Sequence, residues 1–188
     1  MHFFQIDNSC FARRIMLYYE LLLIYCLLEA DTDMKVEMHT HTSETSPCAH
    51  ICAQDVIKMY KEAGYDTVVI TDHYSKWVFE KNGAKTPDEV TSHFLKGYKT
   101  ALGCAETYDI NVLLGCEVTL TESPNDYLLY GVNEEFFHKH PFLYNLSLEE
   151  LSEICHNENI LIVQAHPNRA YCEPVNPALL DGAEVFNG

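Results

Sequence analysis

Basic residues are scarce in this chain. Of its 188 residues, 12 are lysine or arginine and 28 are aspartate or glutamate, which gives a formal net charge of -16. Binding to a nucleic-acid backbone depends on clusters of Lys and Arg, so this balance argues against a protein that binds long nucleic acids. A small phosphorylated molecule is not excluded, because bound cations can reverse the local field.

Cysteines with the Cys-x-x-Cys spacing are absent, although the chain has eight cysteines. A disulfide framework is not expected at this length without a secretory signal, so we predict reduced thiols and a cytoplasmic protein. Cys48 and Cys52 flank His50. That arrangement makes a thiolate metal ligand an alternative, while the neighbouring motifs favour imidazole and carboxylate ligands.

A long apolar run is also lacking. The stretch from Ile15 to Leu28 is shorter than the roughly 20 residues that cross a bilayer. Arg13 and Arg14 precede it, as in a signal peptide, but the acidic sequence after Leu28 is a poor cleavage site. We therefore expect residues 1–33 to be an appended helix or a disordered segment, with a membrane role as the alternative. Residues 34–188 are predicted to form one domain.

From Met34 onward, segments typical of strands alternate with segments typical of helices. Such alternation predicts an α/β fold with a parallel sheet or barrel. One further strand, at 127–132, follows a turn and is a candidate to pair with 111–120 as a hairpin. The other predicted strands are 36–42, 67–73, 160–166 and 183–187, and the predicted helices are 53–63, one that starts at 86, 147–157 and 177–180.

Potential metal ligands stand at or near the ends of these strands. In parallel α/β folds the carboxyl ends of the strands converge on one face, so residues far apart in sequence can meet there. The sequence therefore predicts a multinuclear metal site at this face. Its candidate ligands are His39, His41, His50, His73, Glu117 and His166.

The spacing of His39 and His41 suits metal binding, because side chains two residues apart on a strand point to the same side. A carboxylate such as Glu117 can bridge two cations, and a hydroxide activated by them attacks at neutral pH. Neutral imidazole suits zinc, iron or manganese better than magnesium. We expect two to three divalent metal ions of these kinds.

Two more residues are predicted to take part in catalysis. Arg169 is the only arginine beyond Arg14 and lies just after His166. A guanidinium there can hold phosphate oxygens bidentately, and the alternative is a salt bridge on an acidic surface. Asp72 is placed to orient a histidine or a water, and its alternative is a helix N-cap.

The blocks HTHTSETSPCAH, TDH, GCE and AHP occur in this order. Together they resemble the polymerase-and-histidinol-phosphatase (PHP) family of metal-dependent phosphoesterases, over about residues 34–188. The resemblance implies a distorted (β/α)7 TIM-like barrel that hydrolyses phosphate esters. It also implies that His39 and His41 bind a first metal, that His166 binds a second, and that Glu117 bridges the two.

For the third metal, the resemblance implies His50 and His73, and it places Arg169 at a phosphate-contacting position. The closing sequence GAEVFNG resembles the family strand before a further histidine, after which the family has an Asp-x-His block. Neither is present. The barrel is therefore expected to be incomplete in this chain, as in a truncated family member.

The leading functional hypothesis is hydrolysis of a small phosphomonoester or phosphodiester by a metal-activated hydroxide. The alternative is a noncatalytic metal-binding or interaction domain with the same fold. A metal-dependent amidohydrolase is a third hypothesis, but such enzymes usually show a ligand lysine. No lysine stands at a matching strand end.

Overall fold

The computed structural model of the chain describes residues 4–6 and 34–185. Strand β1, Phe4–Ile6, is the described part of the N-terminal segment. The expectation of a helical, disordered or membrane-bound segment at 1–33 otherwise lies outside the described residues. Among the described residues, no helix combines the length and the apolar character needed to cross a bilayer.

The described elements follow the predicted order closely. After β1 the strands are β2 Val36–Thr40, β3 Thr67–Ile70, β4 His73–Ser75, β5 Asn111–Thr119, β6 Asp126–Tyr130, β7 Leu161–Gln164 and β8 Gly182–Glu184. The helices are α1 Ala53–Glu62, α2 Lys76–Lys81, α3 Pro87–Tyr108, α4 Glu134–Lys139 and α5 Leu148–Asn157, with 3-10 turns at Leu143–Asn145 and Pro177–Leu179.

The strands form one mixed sheet in the order β1-β8-β7-β6-β5-β3-β2, and β4 continues the line of β3 beside β5. Strands β2, β3 and β5 are parallel, whereas β6 is antiparallel to both β5 and β7. The predicted β5–β6 hairpin is confirmed. Because this hairpin interrupts the β/α alternation, the described residues form an incomplete barrel with a mixed sheet and not a regular (β/α)7 repeat.

Local sequence explains where the longer helices begin. Thr86 caps α3 and Ser147 caps α5, each in a reciprocal pair with a glutamate, Glu89 or Glu150, at the third helical position. Such a pair satisfies two backbone N–H groups that the helix itself leaves unbonded. Pro87 at the start of α3 adds a backbone torsion already suited to a helix.

The sheet separates an aromatic core from a concave inner face. Alternate side chains of β5 point to opposite sides, so Leu114, Cys116 and Val118 pack into the core that holds Tyr74 and Phe137. Leu113 instead packs against the inner face, with Val69, Leu128 and Val163 among its buried residues. By the same alternation Glu117 points to the inner face.

The inner face is curled, which brings strands together that are not neighbours in the sheet. The Tyr130 hydroxyl of β6 donates to the Met38 carbonyl oxygen of β2 at 3.0 Å. His39 Nδ1 of β2, at one end of the strand order, lies 3.0 Å from Glu184 Oε1 of β8, which is next to the other end. The two sides of the curled sheet are thus joined by side chains.

Candidate metal centre

Four imidazoles converge on the carboxylate of Glu117, which is completely buried. Its Oε1 lies 3.0 Å from His166 Nε2 and 3.3 Å from His39 Nε2. Its Oε2 lies 2.9 Å from His73 Nδ1 and 3.2 Å from His41 Nε2. Five of the six predicted ligands are therefore brought to one place.

Strand register accounts for this convergence. His73 opens β4 directly opposite Glu117 on β5, and the Glu117 N–H donates to the Asp72 carbonyl oxygen at 3.1 Å. His166 follows the end of β7, with a backbone φ of 31° in the left-handed region. A non-glycine residue in that region is strained, and its N–H is held by Glu184 Oε2 at 2.7 Å.

The buried half of the centre comprises His39, Asp126, His166 and Glu184 around Glu117 Oε1. His166 Nε2 also lies 3.5 Å from Asp126 Oδ2, and His39 Nδ1 contacts Glu184 as described above. Asp126 and Glu184 were not among the predicted ligands. Each lies within or next to a predicted strand, but nothing in the local sequence distinguishes it from a surface acid.

The open half of the centre comprises His41, Cys48 and His73 around Glu117 Oε2. The two imidazoles stack with ring centroids 4.4 Å apart and planes at 12°. One donor atom from each of His41, Cys48 and His73 lies within 4.8 Å of the other two. Cys48 is exposed at the surface, so this half is reached from solvent.

The sixth predicted ligand, His50, is not brought into the centre. It is exposed and belongs to none of the three candidate ligand groups found among residues 34–185. It lines a cavity of about 510 Å³ whose wall also includes His41 and Cys48 as well as Tyr60 and Met59. Cys48, which the sequence left as an alternative ligand, occupies the place beside His73.

Asp72 does not contact the imidazoles through a direct hydrogen bond. It accepts hydrogen bonds from Thr42 N at 2.7 Å, Thr42 Oγ1 at 2.6 Å and Ser46 Oγ at 2.6 Å. Ser46 Oγ accepts from the His73 N–H at 2.9 Å and lies 3.5 Å from His41 Nδ1. Asp72 is therefore linked to both histidines through Ser46, and it is not the N-cap of any described helix.

Arg169 lies in the loop after His166 and is exposed. Its Nη1 donates to the Tyr171 hydroxyl at 3.0 Å. Partial burial lowers the pKa of Arg169, but the contact with Tyr171 and the charges of Glu117 and Asp126 raise it above its usual value. The guanidinium therefore stands in the negative field of the centre.

The charges within the centre are strongly coupled. Burial opposes ionisation of Glu117, yet its histidine neighbours hold its pKa well below the usual range. Burial lowers the pKa of His39, but Glu117 and Glu184 raise it to about 9. Burial also lowers that of His73, and Cys48 and Glu117 raise it to about 10. Protons on these imidazoles balance the carboxylate where a cation would otherwise do so.

The donor set fits divalent cations. Three groups among the described residues could each hold one: His41-Cys48-His73, His39-His41-Glu117 and Glu117-Asp126-His166. Four buried side-chain polar atoms among the described residues have no hydrogen-bond partner, and two of them, Glu117 Oε2 and His166 Nδ1, belong to the centre. Buried polar atoms are rarely left so, and a cation bound between Oε2 and the nearby imidazoles would satisfy this oxygen.

A family model for the PHP domain matches residues 37–178. The chain belongs to the PHP domain family. The resemblance noted in the sequence is thereby confirmed, and with the ligand groups it supports a family of metal-dependent hydrolases. No curated protein matches the chain.

Two solved structures share the fold. One is a two-domain protein from Bacteroides vulgatus containing a predicted PHP-like metal-dependent phosphoesterase, with a TM-score of 0.56 and 14% identity over 78% of this PHP chain and 40% of that chain. The other is a candidate metal-dependent phosphoesterase from Bifidobacterium adolescentis, with a TM-score of 0.50 and 13% identity over 82% of this chain and 78% of that chain. This chain thus spans less than half the length of the two-domain protein.

Proposed function

We propose that this PHP domain hydrolyses a small phosphate ester, a monoester or a diester, with two to three zinc, manganese or iron ions at the centre. The observation that carries the proposal is the Glu117 carboxylate with imidazoles on both of its oxygens. A carboxylate in that position can bridge two cations, which is the arrangement of many two-metal hydrolases.

The described ligand groups assign residues to these cations. His39, His41 and Glu117 would hold one, and Glu117, Asp126 and His166 would hold a second. When bound, the metal ions supply Lewis acidity, which lowers the pKa of water and neutralises phosphate charge.

The protein's own residues support binding and orientation of the ester. Arg169, at the edge of the centre, is suited to hold two phosphate oxygens through its planar guanidinium. A cavity of about 700 Å³, lined in part by His73, Trp77 and Thr119, adjoins the open half. Its volume suits a small molecule and not a polymer, in accord with the acidic composition of the chain.

The test is hydrolysis of generic phosphomonoesters and phosphodiesters by protein loaded separately with zinc, manganese or iron. We expect turnover with at least one metal and its loss in His41→Ala, because that imidazole belongs to two of the ligand groups. His138→Ala is the matched control, since His138 is exposed on α4. Stoichiometric metal binding without turnover of any ester would reject the phosphoesterase and favour a noncatalytic metal-binding domain.

A further inference from the structure

The open half contains a thiol at a place where the resemblance implied an imidazole. Cys48 Sγ, a His41 nitrogen and a His73 nitrogen lie within 4.8 Å of one another, whereas His50 belongs to none of the candidate ligand groups among residues 34–185. The Cys48 side chain is also within hydrogen-bonding reach of His73. The sulfur is thus arranged with the two imidazoles as a third donor.

The turn between β2 and α1 decides which residue reaches the centre. Ser46 N donates to the Thr42 carbonyl oxygen at 2.9 Å, and Ala49 N donates to that of Ser46 at 3.0 Å. Asp72 accepts hydrogen bonds from both Thr42 and Ser46, and these bonds hold the turn in place. Cys48 lies inside this turn and faces His73, and His50 lies beyond it.

A second observation points to a ligand at this position. Glu117 Oε2 is buried and has no hydrogen-bond partner among the described residues, although His73 Nδ1 lies 2.9 Å and His41 Nε2 lies 3.2 Å away. A buried carboxylate oxygen that accepts no hydrogen bond, two imidazoles and a thiol therefore border the same small volume. This set has the softness and the number of donors of tetrahedral zinc sites.

We propose that Cys48 is a thiolate ligand of the cation held by His41 and His73, which makes this position selective for thiophilic metals. The inference rests on the proposed metal-dependent function. On binding, the thiol proton passes to solvent and the sulfur lone pair is donated to the cation. Thiolate favours zinc, and it disfavours manganese, which prefers carboxylate, carbonyl and water oxygens.

The experiment uses cobalt(II) as a spectroscopic probe and zinc and manganese in competition, on the full chain. Thiolate bound to cobalt(II) gives a charge-transfer absorption band in the near ultraviolet. We expect this band in the wild type and its loss in Cys48→Ser. We also expect the variant to lose more than about 100-fold in zinc affinity at one site, since even second-shell changes cost about 10–100-fold. Manganese affinity should change much less.

Two variants serve as matched controls. Cys52→Ser removes a neighbouring thiol that donates a hydrogen bond to Asp55 Oδ2 at 3.3 Å. The charge-transfer band should persist in this variant. His50→Ala should also keep the band and the zinc affinity. Persistence of the band in Cys48→Ser, or loss of zinc affinity in His50→Ala with Cys48 intact, would overturn the proposal.

The spectroscopic result is separable from the proposed activity. A Cys48-dependent band in a protein that hydrolyses no ester would support the ligand and reject the phosphoesterase. Ester hydrolysis by cobalt-loaded protein without a Cys48-dependent band would reject the ligand and retain the phosphoesterase. Thermal unfolding of each variant identifies any that fails to fold, and Cys48→Ala then provides a second substitution without the serine hydroxyl.

Discussion

The buried and open halves of the centre share one carboxylate but differ in what holds them. The His39 and His166 side chains are each 4% exposed, and carboxylates lie behind both of them. The His41 and His73 side chains are 21% and 23% exposed and adjoin a thiol. The difference indicates that the protein itself fixes the buried half, whereas the open half depends more on its cation.

The largest effect is expected from Glu117→Gln, because Glu117 belongs to both halves. The amide keeps the shape of the side chain but removes the charge that balances the surrounding imidazoles. We expect loss of metal from both halves and, in the metal-free protein, a loss of about 3–5 kcal/mol in unfolding free energy. Metal analysis and denaturant unfolding measure the two effects. Retention of metal in one half would show that the halves are independent of this carboxylate.

Single histidine substitutions should separate the halves. His39→Ala leaves Glu184 buried without its imidazole, and we expect the metal-free protein to lose about 2–3 kcal/mol of stability. His73→Ala leaves Glu117 with three other imidazoles and leaves no second carboxylate without its partner, so we expect it to cost less stability than His39→Ala. Urea unfolding of the two metal-free variants provides the comparison. Equal losses would contradict the distinction between a fixed half and a cation-dependent half.

A substitution in α3 can test the hydrogen bonds between Asp72 and Thr42 that hold the open half in place. A Cβ on Gly97 would lie 1.9 Å from Thr42 Oγ1 and 2.3 Å from Asp72 Oδ2. Gly97→Ala should therefore lower the free energy of unfolding by about 1–3 kcal/mol. It should weaken metal binding more in the open half than in the buried half. Gly103 lies on the same helix with no atom within 4 Å of its ideal Cβ. Gly103→Ala should therefore raise the free energy of unfolding by about 0.5–1 kcal/mol. If Gly97→Ala changed neither the stability nor the metal affinity, the turn between β2 and α1 would have to accommodate the added methyl group without cost.

The pH should also affect the stability of the metal-free protein. The folded-state pKa values of His39, about 9, and His73, about 10, lie above the ordinary 6.5. Their contribution to stability is therefore present below pH 6.5 and lost as the pH rises through 9 and 10. Zinc-loaded protein should lose less, because the cation replaces the protons. Unfolding at a series of pH values, with and without zinc, measures this, and stability that rises toward pH 10 without metal would contradict it.

Sequence patterns predicted most of the elements that carry the centre. Apolar runs that end in polar residues located His39, His73 and His166, and turn residues located the hairpin of β5 and β6. Such patterns are local, which is why they were sufficient. The short helices α2 and α4, each of six residues, were not predicted, because so few residues give no clear periodicity.

The partners of the ligands could not be predicted because they depend on long-range geometry. Glu184 becomes a partner of His39 only when the sheet curls and β8 approaches β2. Likewise, the choice between His50 and Cys48 depends on hydrogen bonds within a turn, which the HTHTSETSPCAH block does not reveal. Family resemblance supplied the candidate histidines in order but gave His50 where the described structure places Cys48.

The contact between His39 and Glu184 has a consequence for the local unfolding of this domain. It connects β2, the last strand of the sheet order, with β8, the second, and the sheet has no ladder of backbone hydrogen bonds between them. Chelation of any bound cations would leave that junction to side-chain contacts such as this one. Amide hydrogen exchange should then accelerate first along Val36–Thr40 and Gly182–Glu184, while the central strands β5 and β6 keep their protection.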